Sequence, residues 1–244
     1  MGNEVDWLTN WLKDEAAGVA SKSLKLPLVD AEKQNVFIPA DMLLDHTNHQ
    51  DMARFLGFQE VLCHYDMLPG NIMLDLNLED ALLSGKDDGN LDGVTLIDYE
   101  YSAFSYRAFD IGNFFCEFAG FDKSIEEAYP DTSIRQAVIT AYFDSCSREC
   151  QGRGADEKDI EGRIFRYWQG LRNTKSPEAD AAMKCIVQEF EKVANQLTLC
   201  AHTLWYLWGI VQAEISTVDF DYVEYSRVRL TGYRYHKNQF HSSS

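Results

Sequence analysis

Apolar and polar positions repeat with a helical period over most of the chain and with a strand-like period over one short stretch. Trp7, Leu8, Trp11 and Leu12 recur three and four apart, which predicts an amphipathic helix over residues 5–15. A linker holding Pro27 and Pro39 follows, and Asp41 is the expected N-cap of a second helix that runs to about Leu56 and stops at Gly57. The period then shortens. Val61-Leu62-Cys63, the run Asn71 to Asp75, and the run Gly93 to Asp98 read as short strands, the last two pairing as a hairpin across an acidic, glycine-rich loop at 84–93. From Asp110 onward the helical period returns, over roughly 110–120, 133–150, 156–170, 178–208 and 217–235, with breaks near Pro130, Gly152 and Pro177.

A few strands carrying loops, placed ahead of a mostly helical body, predict an α+β fold. The 244 residues suit one domain, with a helical lead-in over 1–60, a loop-and-strand segment over 61–117 and a helical body over 118–244.

Composition and charge narrow the partners. The chain is 45% hydrophobic with only five prolines, enough apolar surface for a sizeable core. Its 39 acidic residues against 22 basic ones give a net charge of -17, a field that repels phosphate backbones and anionic lipid. Nucleic acid is therefore not an expected partner, whereas a small cation would be drawn in. The most apolar window, Leu197 to Ile215, contains His202, Gln212 and Glu214, so stable membrane insertion is not expected either. The N-terminus lacks the basic-then-apolar order of a signal peptide. Six scattered cysteines without a CxxC read as thiols kept reduced, which points to the cytoplasm.

Chemistry concentrates in two places. His64-Tyr65-Asp66-Met67-Leu68-Pro69-Gly70-Asn71 spells H-x-D-x-x-x-x-N between two apolar runs, and Leu96-Ile97-Asp98-Tyr99-Glu100 ends the next run. Phosphoryl transfer from a nucleotide needs a carboxylate to orient the attacking hydroxyl and oxygen ligands to hold Mg2+ on the phosphates. A loop carrying Asp66 and Asn71, facing Asp98 across a hairpin, can supply both. His-x-Asp alone would signify no more than a polar turn; the full spacing and the second aspartate make the pattern specific.

These residues, together with Phe109-Asp110-Ile111-Gly112-Asn113-Phe114-Phe115-Cys116-Glu117 and the run Leu204-Trp205-Tyr206-Leu207-Trp208 through Asp219-Phe220-Asp221-Tyr222, resemble the choline/ethanolamine kinases in consistent order from about 55 to 235. The resemblance implies the C-terminal lobe of a protein-kinase-like fold, with ATP as co-substrate, Mg2+ as cofactor, and choline or ethanolamine as acceptor. It implies Asp66 as the catalytic carboxylate, Asn71 and Asp98 as metal ligands, and His64 and Asp110 as braces of the loop. It also implies an amine pocket. An ammonium head offers no anion to chelate, so aromatic faces and one carboxylate suit it, each cation–π contact contributing ~0.5–2 kcal/mol. Trp205 and Trp208, three apart on one helix face, with Tyr101 and Glu117, are the expected walls, and Phe220 and Tyr225 the rim. Two tryptophans on an apolar helix are otherwise ordinary core residues.

The chain departs from the family pattern in ways that carry expectations. Ser21-Lys22-Ser23 and Gly85-Lys86 lack the strand–turn setting of a glycine-rich phosphate loop and its lysine. The N-terminal ATP-binding lobe is thus expected to be absent, leaving an uncovered surface prone to self-association and little kinase activity in the isolated polypeptide. Tyr65 stands where the family usually has Asn, Phe114 where His is common, and Asp122 where some choline kinases place an aromatic residue. Phe118-Ala119-Gly120 looks more like the ethanolamine-type members. Family members are often dimers, so a homodimer is one assembly implied. Two alternatives remain open: a related phosphotransferase for an aminoglycoside or sugar, and a non-catalytic lobe that binds the amine.

Overall fold

A computed structural model of the chain describes residues 2–22, 24–26, 38–84, 93–120, 124–150 and 159–242. The expected linker around Pro27, the breaks at Gly152 and the sites of Gly85, Lys86 and Asp122 lie outside the described residues.

The longest apolar repeat organises the body. Ala179, Ala182, Ile186, Phe190, Val193, Leu197, Ala201, Trp205 and Gly209 follow one another at steps of three and four, and all are buried on α9 (Pro177–Ile215). Ser176 caps its start by accepting the Ala179 N–H at 3.2 Å, with Pro177 at the first helical position, where a missing amide costs nothing. The helix continues past 208, where the sequence pattern ends. Gly209 does not interrupt it because α10 (Tyr222–Ser242) crosses there, and a Cβ on Gly209 would come within 2.4 Å of the Ser226 hydroxyl. Packed along the same stripe are α3 (His46–Gly57), through Met52, Ala53 and Leu56, and α5 (Arg107–Cys116), through Phe109, Ile111 and Phe115. At the α5 crossing a Cβ on Gly112 would meet the Ala194 carbonyl at 2.4 Å, so the two backbones touch. Helices α7 (Thr132–Cys150) and α8 (Ile160–Asn173) close the core with Ile139, Phe143, Phe165, Trp168 and Leu171.

The lead-in helix α1 (Gly2–Ala20) extends beyond its predicted range, burying Leu8 against Leu199 and Tyr233. The predicted second helix is two pieces, α2 (Ala40–Leu43) and α3. Asp45, not Asp41, is the effective cap, its carboxylate accepting the Asn48 N–H at 3.0 Å. The one-turn α6 (Ile125–Ala128) precedes α7. No helix among the described residues is long and apolar enough to cross a membrane.

Among the described residues, four short strands form two antiparallel pairs. The expected hairpin is present as β2 (Ile72–Leu74) on β3 (Val94–Leu96), with Ile72 opposite Leu96, and its connection holds a further helix, α4 (Leu76–Leu83). The other pair is β1 (Glu60–Cys63) on β4 (Ala103–Tyr106). Strand β4 has no alternating pattern to announce it, since Ala103 and Phe104 are both exposed; its pairing with β1 defines it. Hydrogen bonds from His64 to the Ile97 carbonyl and from Ser102 to the His64 carbonyl bring the segments 64–71 and 97–102 together, in a mostly helical α+β arrangement.

Candidate active site

The loop that leaves β1 is held by hydrogen bonds from outside itself. Asp110 lies inside the first turn of α5, whose cap position is Tyr106, so it is not the N-cap of that helix. Its two carboxylate oxygens accept the backbone N–H groups of His64 and Tyr65, each at 2.9 Å. Burial pushes the Asp110 carboxyl above its ordinary value, and those two amides pull against the rise. His64 ties the loop to the neighbouring strand. Its Nε2 can only donate to the Ile97 carbonyl, 2.9 Å away, which leaves Nδ1 to accept the Asp66 N–H at 3.3 Å. One neutral tautomer satisfies both bonds.

Asp66 and Asn71 face each other across the loop. The Asn71 amide nitrogen donates at 2.9 Å to both the Asp66 carbonyl and its carboxylate. Because both acceptors are oxygens, the amide orientation is fixed and Asn71 Oδ1 points away from Asp66. Burial, then the charge of Glu117, then that of Asp98 raise the Asp66 carboxyl above its usual value, while the Asn71 hydrogen bond opposes them. Asp98 follows β3 in a left-handed conformation, φ 65°, and Tyr65 is left-handed too, φ 69°. They are the positive-φ residues other than glycine among the described residues, and such a residue is strained by about 1–2 kcal/mol. Tyr65, the departure from the family's usual Asn, therefore occupies a position that Asn tolerates better; its ring rests on Phe109, 4.7 Å between centroids.

A wall of rings stands beside the loop. Tyr101 ends the single 3-10 turn Tyr99–Tyr101 that follows Asp98. Its ring meets Trp205 edge-on at 5.5 Å and Trp208 at 6.3 Å, and its hydroxyl accepts the Trp208 indole N–H at 3.1 Å. Trp208 is half-buried among further rings, with Tyr222 at 5.6 Å and Tyr225 at 5.7 Å; Phe220 lies 4.9 Å from Tyr222 and 5.9 Å from Tyr225. Trp205 is only 4% exposed, so it is a core residue and a wall at once. Its indole donates to Asn113 Oδ1 at 2.9 Å, and Asn113 Nδ2 donates to the Tyr65 carbonyl at 2.5 Å. The rings and the aspartate loop are thus one hydrogen-bonded unit.

Glu117 sits in the turn after α5, where its Oε1 meets Arg229 of α10 at 2.7 Å, with both side chains 7% exposed. Arg229 also donates from Nε to the Tyr225 hydroxyl at 3.0 Å and lies over that ring, 5.1 Å from its centroid. Half of the carboxylate read from the sequence as an amine ligand is therefore already matched by an arginine. Asn113, Tyr222 and Arg229 were not singled out from the sequence. Arg229 follows Tyr225 by four within one predicted helix, and that spacing was the available signal. Phe114 packs edge-on against Phe118 at 5.4 Å.

The donor set suits a hard cation. Asn71 Oδ1 and the Asp98 carboxylate are oxygen ligands of the kind Mg2+ takes, and the charges of Glu117 and Asp98, which add to burial in raising the Asp66 carboxyl, are ones a cation would offset.

With that geometry in place, comparison with known proteins identifies the chain. The choline/ethanolamine kinase family model matches residues 5–234, so the chain belongs to the choline/ethanolamine kinase family. It is similar to ethanolamine kinase 1 of Mus musculus, 31% identical over 200 residues, which are 80% of this chain and 44% of that protein. It is similar to choline kinase alpha of Mus musculus, 30% identical over 190 residues, 78% of this chain and 36% of that protein. A solved ethanolamine kinase of Plasmodium vivax aligns with 95% of the chain and 50% of its own length at 21% identity, with a TM-score of 0.47. The chain spans less than half the length of the two mouse relatives.

Proposed function

We propose that the chain carries the acceptor pocket and catalytic acids of an ATP-dependent kinase acting on the hydroxyl of ethanolamine or choline, the step that supplies phospholipid headgroups. The observation that carries this reading is the joining of the two halves of the site: Asn113 connects the Asp66 loop to Trp205, and Tyr101 connects the Asp98 turn to Trp208. An ammonium group among Tyr101, Trp205, Trp208 and Tyr225 would place its hydroxyl arm toward Asp66.

In this reading Asp66 accepts a hydrogen bond from the substrate hydroxyl and aims its oxygen at the terminal phosphorus of ATP. A carboxylate is a weak base, so the hydroxyl proton moves only late, when the oxygen has become acidic; the raised affinity of Asp66 for a proton favours that transfer. Asn71 and Asp98 would hold Mg2+, which when bound neutralises charge on the phosphates. His64 and Asp110 fix the loop. Glu117, braced by Arg229, faces the amine with its second oxygen.

The remaining parts of the reading concern organisation. Residues 1–60 form the lead-in, 61–117 the catalytic segment and 118–244 the pocket-bearing body of a kinase-like C-terminal lobe acting in the cytoplasm. The glycine-rich loop and lysine that grip the nucleotide would belong to a separate lobe. Leu62, Met73, Leu74 and Phe104 on the strand pairs, and Ile97 just after β3, are exposed apolar side chains that such a lobe, or a second copy in a homodimer, would cover.

The test is phosphate transfer from ATP labelled at its terminal phosphate, with Mg2+, choline and ethanolamine offered separately and Asp66→Ala as control. Transfer that vanishes in the control supports the kinase and identifies its amine. Amine binding that Trp208→Ala weakens, without transfer, would keep the pocket and sink the catalytic half. Trp208 is the better probe than Trp205, whose removal would open the core.

A further inference from the structure

At the opposite end of α9 from the tryptophans, three soft donors converge. His46 and His49 stand one turn apart at the start of α3, and Cys185 comes from α9. One donor atom from each lies within 4.8 Å of the other two. The thiol already turns toward α3, its Sγ 3.8 Å from the His46 carbonyl.

The decisive atom belongs to His49, which is 0% exposed. Its Nε2 lies 2.7 Å from the Tyr167 hydroxyl, which itself reaches the Met42 carbonyl at 3.4 Å. With the Tyr167 proton directed to the Met42 carbonyl, the hydroxyl accepts from His49 Nε2–H. That leaves Nδ1 as a bare lone pair, and it is buried with no partner among the described residues. A buried acceptor left unmatched costs about 1–3 kcal/mol, so its retention calls for a ligand. Metal-binding histidines show this arrangement, one nitrogen donating to a fixed oxygen while the other faces the ion. Access exists as well: a cavity of about 300 Å³, lined in part by His46, Lys184, Cys185, Glu189 and Lys192, opens beside His46 and Cys185.

We propose that His46, His49 and Cys185 bind a divalent transition-metal ion of the zinc class, stapling α3 to α9 with a fourth position open to this cavity. Two imidazoles and a thiolate select such an ion over Mg2+ or Ca2+. Binding converts the Cys185 S–H to a thiolate bonded to the ion and releases one proton to solvent. Glu189 is not the fourth ligand, since Arg54 at 3.3 Å and Lys192 at 3.0 Å already hold its carboxylate. Ligands on one zinc stand roughly 3.3–3.7 Å apart, given bonds of about 2.0–2.3 Å. Reaching that spacing from 4.8 Å requires rotation of exposed His46 and half-buried Cys185. A second cluster, Cys116, His202 and His236, is entirely buried and carries the nearby positive charge of Arg229, which disfavours a cation.

The test uses the whole chain, stripped with a chelator and kept reduced, with Co2+ as the spectroscopic probe. One equivalent should produce thiolate-to-cobalt absorption in the near ultraviolet and tetrahedral bands in the visible, and Zn2+ should displace it. Cys185→Ser should abolish the thiolate band. His46→Ala, on the surface and harmless to folding, should weaken binding at least ~10-fold, and Tyr167→Phe, acting through His49, should weaken it ~10–100-fold. Cys116→Ser should change nothing. Absence of the bands, or bands that survive Cys185→Ser, would overturn the proposal; loss in Cys116→Ser instead would move the ion to the buried cluster.

Discussion

The two halves of the candidate site are built on opposite plans. On the loop side, short polar side chains hold backbone: Asp110 takes two amides, Asn71 gives to two oxygens of one residue, and His64 bridges from Asp66 to Ile97. On the aromatic side, large rings meet edge to edge and a buried ion pair joins α10 to the turn after α5. The loop side is secured by contacts that each fix one atom. The aromatic side is secured by the close crossing of α9 and α10 at Gly209, so it responds to the packing of whole helices. The loop should therefore fail locally, and the pocket globally.

The largest expected effect tests the second half of that contrast. Arg229→Met leaves Glu117 buried without its counter-ion, a change that costs about 3–5 kcal/mol when a buried pair is broken. Urea unfolding should show that loss, and the double variant Glu117→Gln/Arg229→Met should recover most of it. Equal instability of the double variant and the sum of the singles would mean that the pair is not coupled. A smaller and more local loss, about 1–3 kcal/mol in all as the freed amides reach water, is expected from Asp110→Ala, which strips the acceptor from two amide groups. Amide hydrogen exchange should accelerate at His64 and Tyr65 while α10 keeps its protection. Faster exchange throughout α10 would erase the distinction between the halves.

The contrast can also be sharpened through the ligand. Trp208→Ala removes one half-buried face and should weaken choline or ethanolamine binding by about 2- to 30-fold, the equivalent of ~0.5–2 kcal/mol. Calorimetric titration reads this directly, and the unfolding midpoint should move little. Trp205→Ala makes the counterpart: a residue 4% exposed on the core stripe should lose stability by about 3–5 kcal/mol. Unchanged amine affinity in Trp208→Ala would remove the aromatic pocket from the reading.

The same division explains what the sequence could reveal. The loop side is contiguous: Asp66, Asn71 and the hairpin to Asp98 lie within a few turns of chain, and their spacing carries the chemistry. Asp110 holds two amides of the loop from inside α5, a place no capping signal announces, because Tyr106 begins α5 without a capping side chain. The stripe on α9 predicted the core, yet it could not say that Trp205 belongs to core and pocket together. Arg229 escaped notice because its partner is 112 positions away, and no local pattern announces a pairing of that range. Strand β4 escaped for a related reason, since its partner and not its own alternation makes it a strand.

The smallest effect is the most informative about what the loop was selected to do. Asp66 is held in a place that opposes its own charge, by burial first and by Glu117 and Asp98 after it. Its folded-state proton affinity is raised, so ionisation there works against folding. That penalty is absent below the unfolded value of about 3.9, develops as the pH rises, and is complete above the folded value. Asp66→Asn removes the charge and keeps an oxygen for the Asn71 amide. The variant should be more stable than the parent at neutral pH, by no more than about 1 kcal/mol because solvent screens part of the repulsion. The advantage should vanish in acid, and the variant should transfer no phosphate. A structural aspartate would show the reverse, with stability lost at neutral pH, so thermal unfolding of the pair at two pH values separates a residue kept for chemistry from one kept for the fold.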